Sequence, residues 1–94
     1  MAYEKLNKGT VTTPRGFQAG AIAAGLKSRA GELDLGILYS EAPCTAVGLF
    51  TQNRFKAAPV LLTQQRLRSQ RAQAVVVNSG CANAATGPEG LVAA

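Results

Sequence analysis

Alanine does much of the apolar work in this chain. Seventeen of its 94 residues are alanine, only 22 are Leu, Ile, Val or Phe, and there is no tryptophan. Glycine and proline take another 14 positions. A free-standing domain of this length buries roughly 60–65% of the surface its unfolded chain exposes, so it needs bulky side chains to build an efficient core. The balance is too apolar for disorder and too thin in large groups for a comfortable independent core. The expectation is a partial domain over residues 1–94.

The order of elements follows from periodicity. Residues 1–14 carry no sustained pattern and read as an N-terminal arm punctuated by Gly9 and Pro14. Phe17, Ala19, Ala21 and Ala23 alternate up to Gly25, which predicts a strand. Residues 28–32, with Gly31 and mixed charge, read as a turn. A second strand is expected at 33–39, with Leu33, Leu35 and Ile37 on one face and Asp34, Gly36 and Leu38 on the other. Glu41, Ala42 and Pro43 break it, and 44–51 (CTAVGLFT) reads as a third strand. The short loops between these three favour antiparallel pairing, because parallel neighbours need a crossover of a dozen or more residues.

Residues 58–69 (APVLLTQQRLRS) change pattern and predict a helix. Pro59 suits its first turn, Val60 and Leu67 share a face with Leu61 beside them, and the late arginines suit the negative end of the helix dipole. A fourth strand is expected at 72–77, where Ala74, Val75, Val76 and Val77 run continuously apolar, as in a strand covered on both faces. After a polar loop, Thr86 and Glu89 are spaced as a capping box for a helix starting near Gly87. That helix carries no stop signal before Ala94, so it reads as cut rather than finished. The fold class expected is α/β: a layered sandwich of mostly antiparallel strands with covering helices.

Composition excludes several chemistries. There is no histidine, so a Ser–His–Asp triad, a Cys–His dyad and a histidine-based metal site cannot be completed within the chain. Cys44 and Cys81 stand far apart with no CxxC, which points away from zinc and from a redox pair. Both thiols are expected as small buried apolar groups in a reducing, cytoplasmic setting. The N-terminus has charges of both signs and no signal-peptide core, and no stretch approaches the roughly 18 apolar residues of a membrane helix. The net charge of +5 is unevenly spread. No acid falls between Glu41 and Glu89, while Arg54, Lys56, Arg66, Arg68 and Arg71 do. A small basic module for RNA or another polyanion is therefore the alternative function. Only Phe50 and Phe55 are aromatic near the tract, and no RNA-binding motif is present, so the main reading has no nucleic-acid partner.

The most informative stretch is Asn78, Ser79, Gly80, Cys81, Ala82 and Asn83. Two carboxamides flank a Ser-Gly pair between a buried strand and a helix. Such a loop can aim N–H groups and amides at a ligand carbonyl or anion. Equally, Asn78 and Asn83 can satisfy the loop's own backbone. Ser79 has no resident base, so it is not read as a nucleophile. The phosphate-loop pattern is absent, since no lysine follows Gly80.

VVVNSGCANAATGPEGL, which contains this loop, resembles the bifunctional glutamate/ornithine N-acetyltransferase family of arginine biosynthesis. TPRGFQAGAIAAGLK at 13–27, DLGILYSEAPCTAVGLFTQNRFKAAPV at 34–60 and RAQAVVV at 71–77 resemble the same family in the same order. Each segment alone is modest; their order and spacing are specific. Position 81 is Cys where many members have Asn, while its neighbours agree.

The resemblance implies the N-terminal part of a larger enzyme, a glutamate N-acetyltransferase and amino-acid N-acetyltransferase. Family members cleave themselves before a threonine, which then takes acetyl from N-acetylornithine and passes it to glutamate. A threonine at a chain start carries its own α-amine as base, and the tetrahedral oxyanion needs fixed donors. No cofactor is implied, with acetyl-CoA as a further acetyl donor in the complete enzyme. The implied partners are the rest of the alpha chain and the beta chain, in a heterotetramer of two of each, and no membrane. The threonines here (Thr10, Thr12, Thr13, Thr45, Thr51, Thr63 and Thr86) all sit outside the cleavage context. Thr86-Gly87 lies within AATGPEG, which matches the earlier loop, so it is not the family's oxyanion pair. Catalytic, substrate-binding and metal residues are accordingly expected to be none. Asn78, Ser79, Gly80 and Asn83 are expected to form a loop adjacent to the active site, and the 94 residues alone are expected to be inactive.

Overall fold

The computed structural model describes residues 2–27 and 30–94. Its centre is a three-stranded antiparallel sheet in the order β1-β2-β3. β1 (Phe17–Ile22) pairs with β2 (Leu35–Thr45) so that Phe17 faces Ser40 and Ile22 faces Leu35. β2 then pairs with β3 (Arg71–Asn78), from Leu35 opposite Asn78 to Thr45 opposite Arg71. Between β2 and β3 lie α1 (Ala58–Arg66) and a 3-10 turn (Leu67–Ser69); α2 (Gly87–Ala93) follows β3. The sheet is antiparallel as expected, and β2 and β3 are joined through the helix expected ahead of the last strand.

Three local expectations are corrected. β1 stops at Ile22, short of Gly25, because the backbone beyond it turns its amides toward Asp34. The strand expected at 44–51 is absent: Cys44 and Thr45 finish β2, and 46–53 has no regular structure. Its alternation finds no partner strand among the described residues, and without a ladder a strand's N–H and C=O groups stay unpaired. Leu49 is accordingly fully exposed. The expected break at 41–43 is real but takes the form of a bulge within β2, since the register jumps from Tyr39 opposite Ala74 to Cys44 opposite Ala72. A bulge is one of the few places a sheet tolerates proline, which is where Pro43 sits. Ser40 holds it: its buried hydroxyl donates to Ala42 O at 2.7 Å and accepts from Cys44 Sγ at 3.2 Å.

Cys44 is thus half-buried and hydrogen-bonded, and Cys81 is exposed. Neither is the buried apolar thiol expected, and both are free. The turn expected at 28–32 is present at Ala30 and Gly31; Ser28 and Arg29 lie outside the described residues.

α1 begins as expected, with Pro59 in its first turn and Ala57 as an N-cap lacking a side-chain hydrogen bond. Val60, Leu62 and Leu67 are half-buried, whereas Leu61 faces solvent. The helix tightens into the 3-10 turn and ends at Gln70 in the left-handed region (φ 59°). Its nearest elements are α2 and that turn.

Among the described residues the only buried apolar side chain is Ala58. Val75, Val76 and Val77, which read as covered on both faces, are 55–65% exposed, and Ile22 and Ile37 are also largely open. The Cα radius of gyration is 15.8 Å, against about 12 Å for a compact domain of this length. These elements form a sheet and two helices of a partial α/β domain.

Candidate functional site

β3 delivers Asn78 as its last residue, opposite Leu35 at the start of β2. From there the chain turns away through Ser79, whose N–H donates to Asp34 O at 2.9 Å. Gly80 follows with φ +99°, a conformation that L side chains rarely adopt. A Cβ at Gly80 would also stand 2.5 Å from Lys27 Cγ and 3.4 Å from Leu26 O. Glycine is thus favoured twice, by conformation and by the close approach of Leu26 and Lys27. Asn78, Ser79 and Gly80 are exposed, and the side chains of Asn78 and Ser79 make no hydrogen bond to the described residues.

Asn83 behaves differently. Its backbone O accepts the Ala58 N–H at 3.3 Å, filling one of the donors a helix start leaves open. Its side-chain Nδ2 donates to Gly90 O at 2.7 Å, and its Oδ1 accepts the Thr86 hydroxyl. One half-buried asparagine therefore joins both helices, its backbone carbonyl at the start of α1 and its side-chain amide at α2. Thr86 is the N-cap of α2, but the capping box does not close: its hydroxyl is turned back to Asn83, and α2 has no side-chain cap. Gly90 is buried, and this pair leaves no room there for a methyl group.

Asn78, Ser79, Gly80 and Asn83 line one open cleft of about 490 Å³ together with Cys81, Ala57 and Pro59 at the head of α1. The sequence-predicted loop is thus one wall of a concave surface, with Asn78 and Ser79 as its uncommitted polar groups. No cluster among the described residues could hold a metal ion, and no helix among them is long and apolar enough to cross a membrane.

Asp34 was not singled out by the sequence reading, yet it organises the ground beneath this loop. Only 4% of it is exposed. Oδ1 accepts the Ala24 N–H at 2.6 Å, and Oδ2 accepts those of Leu26 at 2.6 Å and Lys27 at 3.1 Å. These bonds, led by that from Ala24, hold the carboxyl below its ordinary value against the opposing effect of burial. The signal was present in the sequence: an acid flanked by Leu33 and Leu35 must find donors if its face turns inward.

Residues 18–94 match the ArgJ family. The chain is 54% identical over 87 residues to the arginine biosynthesis bifunctional protein ArgJ of Dehalococcoides mccartyi, covering 92% of this chain and 22% of that protein. It is 54% identical to the ArgJ protein of Mycobacterium tuberculosis, covering 86% of this chain and 20% of that one. It therefore spans about a fifth of these curated relatives. Among solved structures, it resembles M. tuberculosis ornithine acetyltransferase complexed with ornithine (TM-score 0.85, 51% identity, 93% of this chain and 45% of that chain). It also resembles the ArgJ protein of Bacillus halodurans (TM-score 0.87, 40% identity, 95% of this chain and 46% of that one). Matched in sequence over most of its length and in fold by two solved relatives, the chain belongs to the ArgJ family.

Proposed function

We propose that residues 1–94 are the N-terminal part of the alpha chain of an acetyltransferase that moves acetyl from N-acetylornithine to glutamate. In a bifunctional enzyme acetyl-CoA is a further donor. The nucleophile in this reading is a threonine outside these 94 residues, exposed by self-cleavage and activated by its own α-amine. The single observation that carries the proposal is the joint match, in sequence and in fold, to the M. tuberculosis ornithine acetyltransferase, whose structure holds ornithine.

A comparison of lengths supports the two-chain part of the reading. The match takes up 45% of the solved M. tuberculosis chain but 20% of the curated M. tuberculosis protein. A protein divided into two chains of similar size accounts for that difference. In this reading the complete enzyme is an assembly of two alpha and two beta chains acting in the cytoplasm.

Within that enzyme the 78–83 loop borders the oxyanion region without performing chemistry. Asn78 and Ser79 offer polar groups to the cleft, and Asn83 shapes it by tying the two helices together. The test is a full-length ornithine acetyltransferase carrying these 94 residues as its matching segment. Asn78→Ala and Asn83→Ala should each lower acetyl transfer on the order of 10-fold; unchanged transfer in both removes the loop from the site. The 94 residues alone should transfer no acetyl from N-acetylornithine to glutamate, and turnover by them would overturn the proposal.

A further inference from the structure

Asp34 and the 78–83 loop are far apart in sequence but share one junction. The Asp34 carboxylate gathers the N–H groups of Ala24, Leu26 and Lys27. Its backbone reaches both ways: its N–H donates to Ile22 O at 3.1 Å, and its O accepts the Ser79 N–H at 2.9 Å. Gly80 then packs against the Leu26–Lys27 backbone that the carboxylate holds: a Cβ there would stand 3.3 Å from Lys27 Cα and 3.4 Å from Leu26 O, and would press on the Lys27 side chain at 2.5 Å. A nearly buried carboxylate filled with backbone donors is a rigid fixture, because releasing any donor strands a charge away from water.

We propose that Asp34 is the positioning residue of the 78–83 loop. Its carboxylate fixes the 24–27 backbone, and that backbone with the Asp34 carbonyl sets where Ser79 and Gly80 sit, and hence where Asn78 and Ser79 face the cleft. The inference rests on the reading that this loop borders the acetyl-transfer site. It adds that the loop's placement is set from the β1–β2 connection and not from β3 alone. Asn in place of Asp keeps the shape but presents an NH2 group to the Leu26 and Lys27 N–H donors, or to that of Ala24, so one side of the fixture opens.

The experiment measures deuterium uptake and steady-state kinetics in the full-length acetyltransferase carrying these 94 residues, with Asp34→Asn and Asp34→Glu. Asp34→Asn should speed exchange in both 24–27 and 78–83. It should lower kcat on the order of 10- to 100-fold with KM little changed, because misplaced groups near the reacting atoms weaken the transition state more than substrate binding. Asp34→Glu, which keeps the charge on a longer arm, should recover part of both effects, and it decides the matter if Asp34→Asn does not fold. Faster exchange confined to 24–27, with 78–83 unchanged, overturns the positioning role whatever the activity. Faster exchange at 78–83 with full acetyl transfer upholds the positioning role and overturns instead the placement of the loop at the site.

Discussion

A carboxylate with almost no exposed surface persists at position 34 because three backbone amides replace its water. Its carboxyl is held below the ordinary value of 3.8, so the unfolded chain binds the proton more readily than the folded one. Stability from this group is then complete above the ordinary value and fades as pH falls through the lower, folded one. In the full-length protein, the gap in melting temperature between wild type and Asp34→Asn should be widest near neutrality and narrow below about pH 4. A gap that widens on acidification would reverse the sign. Gln70 poses the opposite case, a side-chain-bearing residue at φ 59° that closes the 3-10 turn by donating its N–H to Leu67 O. Gln70→Gly should raise stability by about 0.5–1 kcal/mol in denaturant melts, as relief of left-handed strain outweighs the extra freedom of the unfolded glycine.

At the scale of elements, α2 hangs on one amide. Asn83→Ala removes the donor to Gly90 O and the acceptor for Thr86, and should destabilise by about 1–3 kcal/mol, with faster amide exchange across Gly87–Ala93. Gly90→Ala is a sharper probe, because helix propensity alone favours alanine by about 1 kcal/mol. Its methyl would collide with Thr86 Oγ1 and stand 2.5 Å from Asn83 Oδ1, so the substitution should destabilise instead. A stabilised Gly90→Ala protein would mean that the Asn83–Thr86 pair does not hold α2. Elements that rest on local chemistry were legible: Pro59 marks the head of α1, and alternation marks β1 and the first half of β2. What failed was the distinction between an alternating segment and a paired one. Val47 and Leu49 alternate as well as any strand here, but pairing is decided by a neighbour, and no strand among the described residues reaches them.

At the scale of the molecule, the valine run of β3 and the isoleucines of β1 and β2 remain open to solvent. Apolar surface of that extent is the kind that binds a partner or drives association. The 94 residues alone should therefore bind a hydrophobic dye, sediment as a spread of aggregates and melt without a sharp transition, whereas the full-length protein should bind no dye, sediment as one defined assembly and melt sharply. A monomer with a cooperative melt would show that the sheet needs no further cover. The shortage of bulky side chains, the polar loop after β3 and the family resemblance all lay in the order of residues, because composition, periodicity and motif spacing are properties of the string. The role of Asp34, the bulge that absorbs Pro43 and the use of Asn83 as a tie between two helices did not. Each depends on groups that sequence separation keeps apart and that only chain closure brings within hydrogen-bond reach, and a carboxylate or an amide gives no sign of its partners until the fold supplies them.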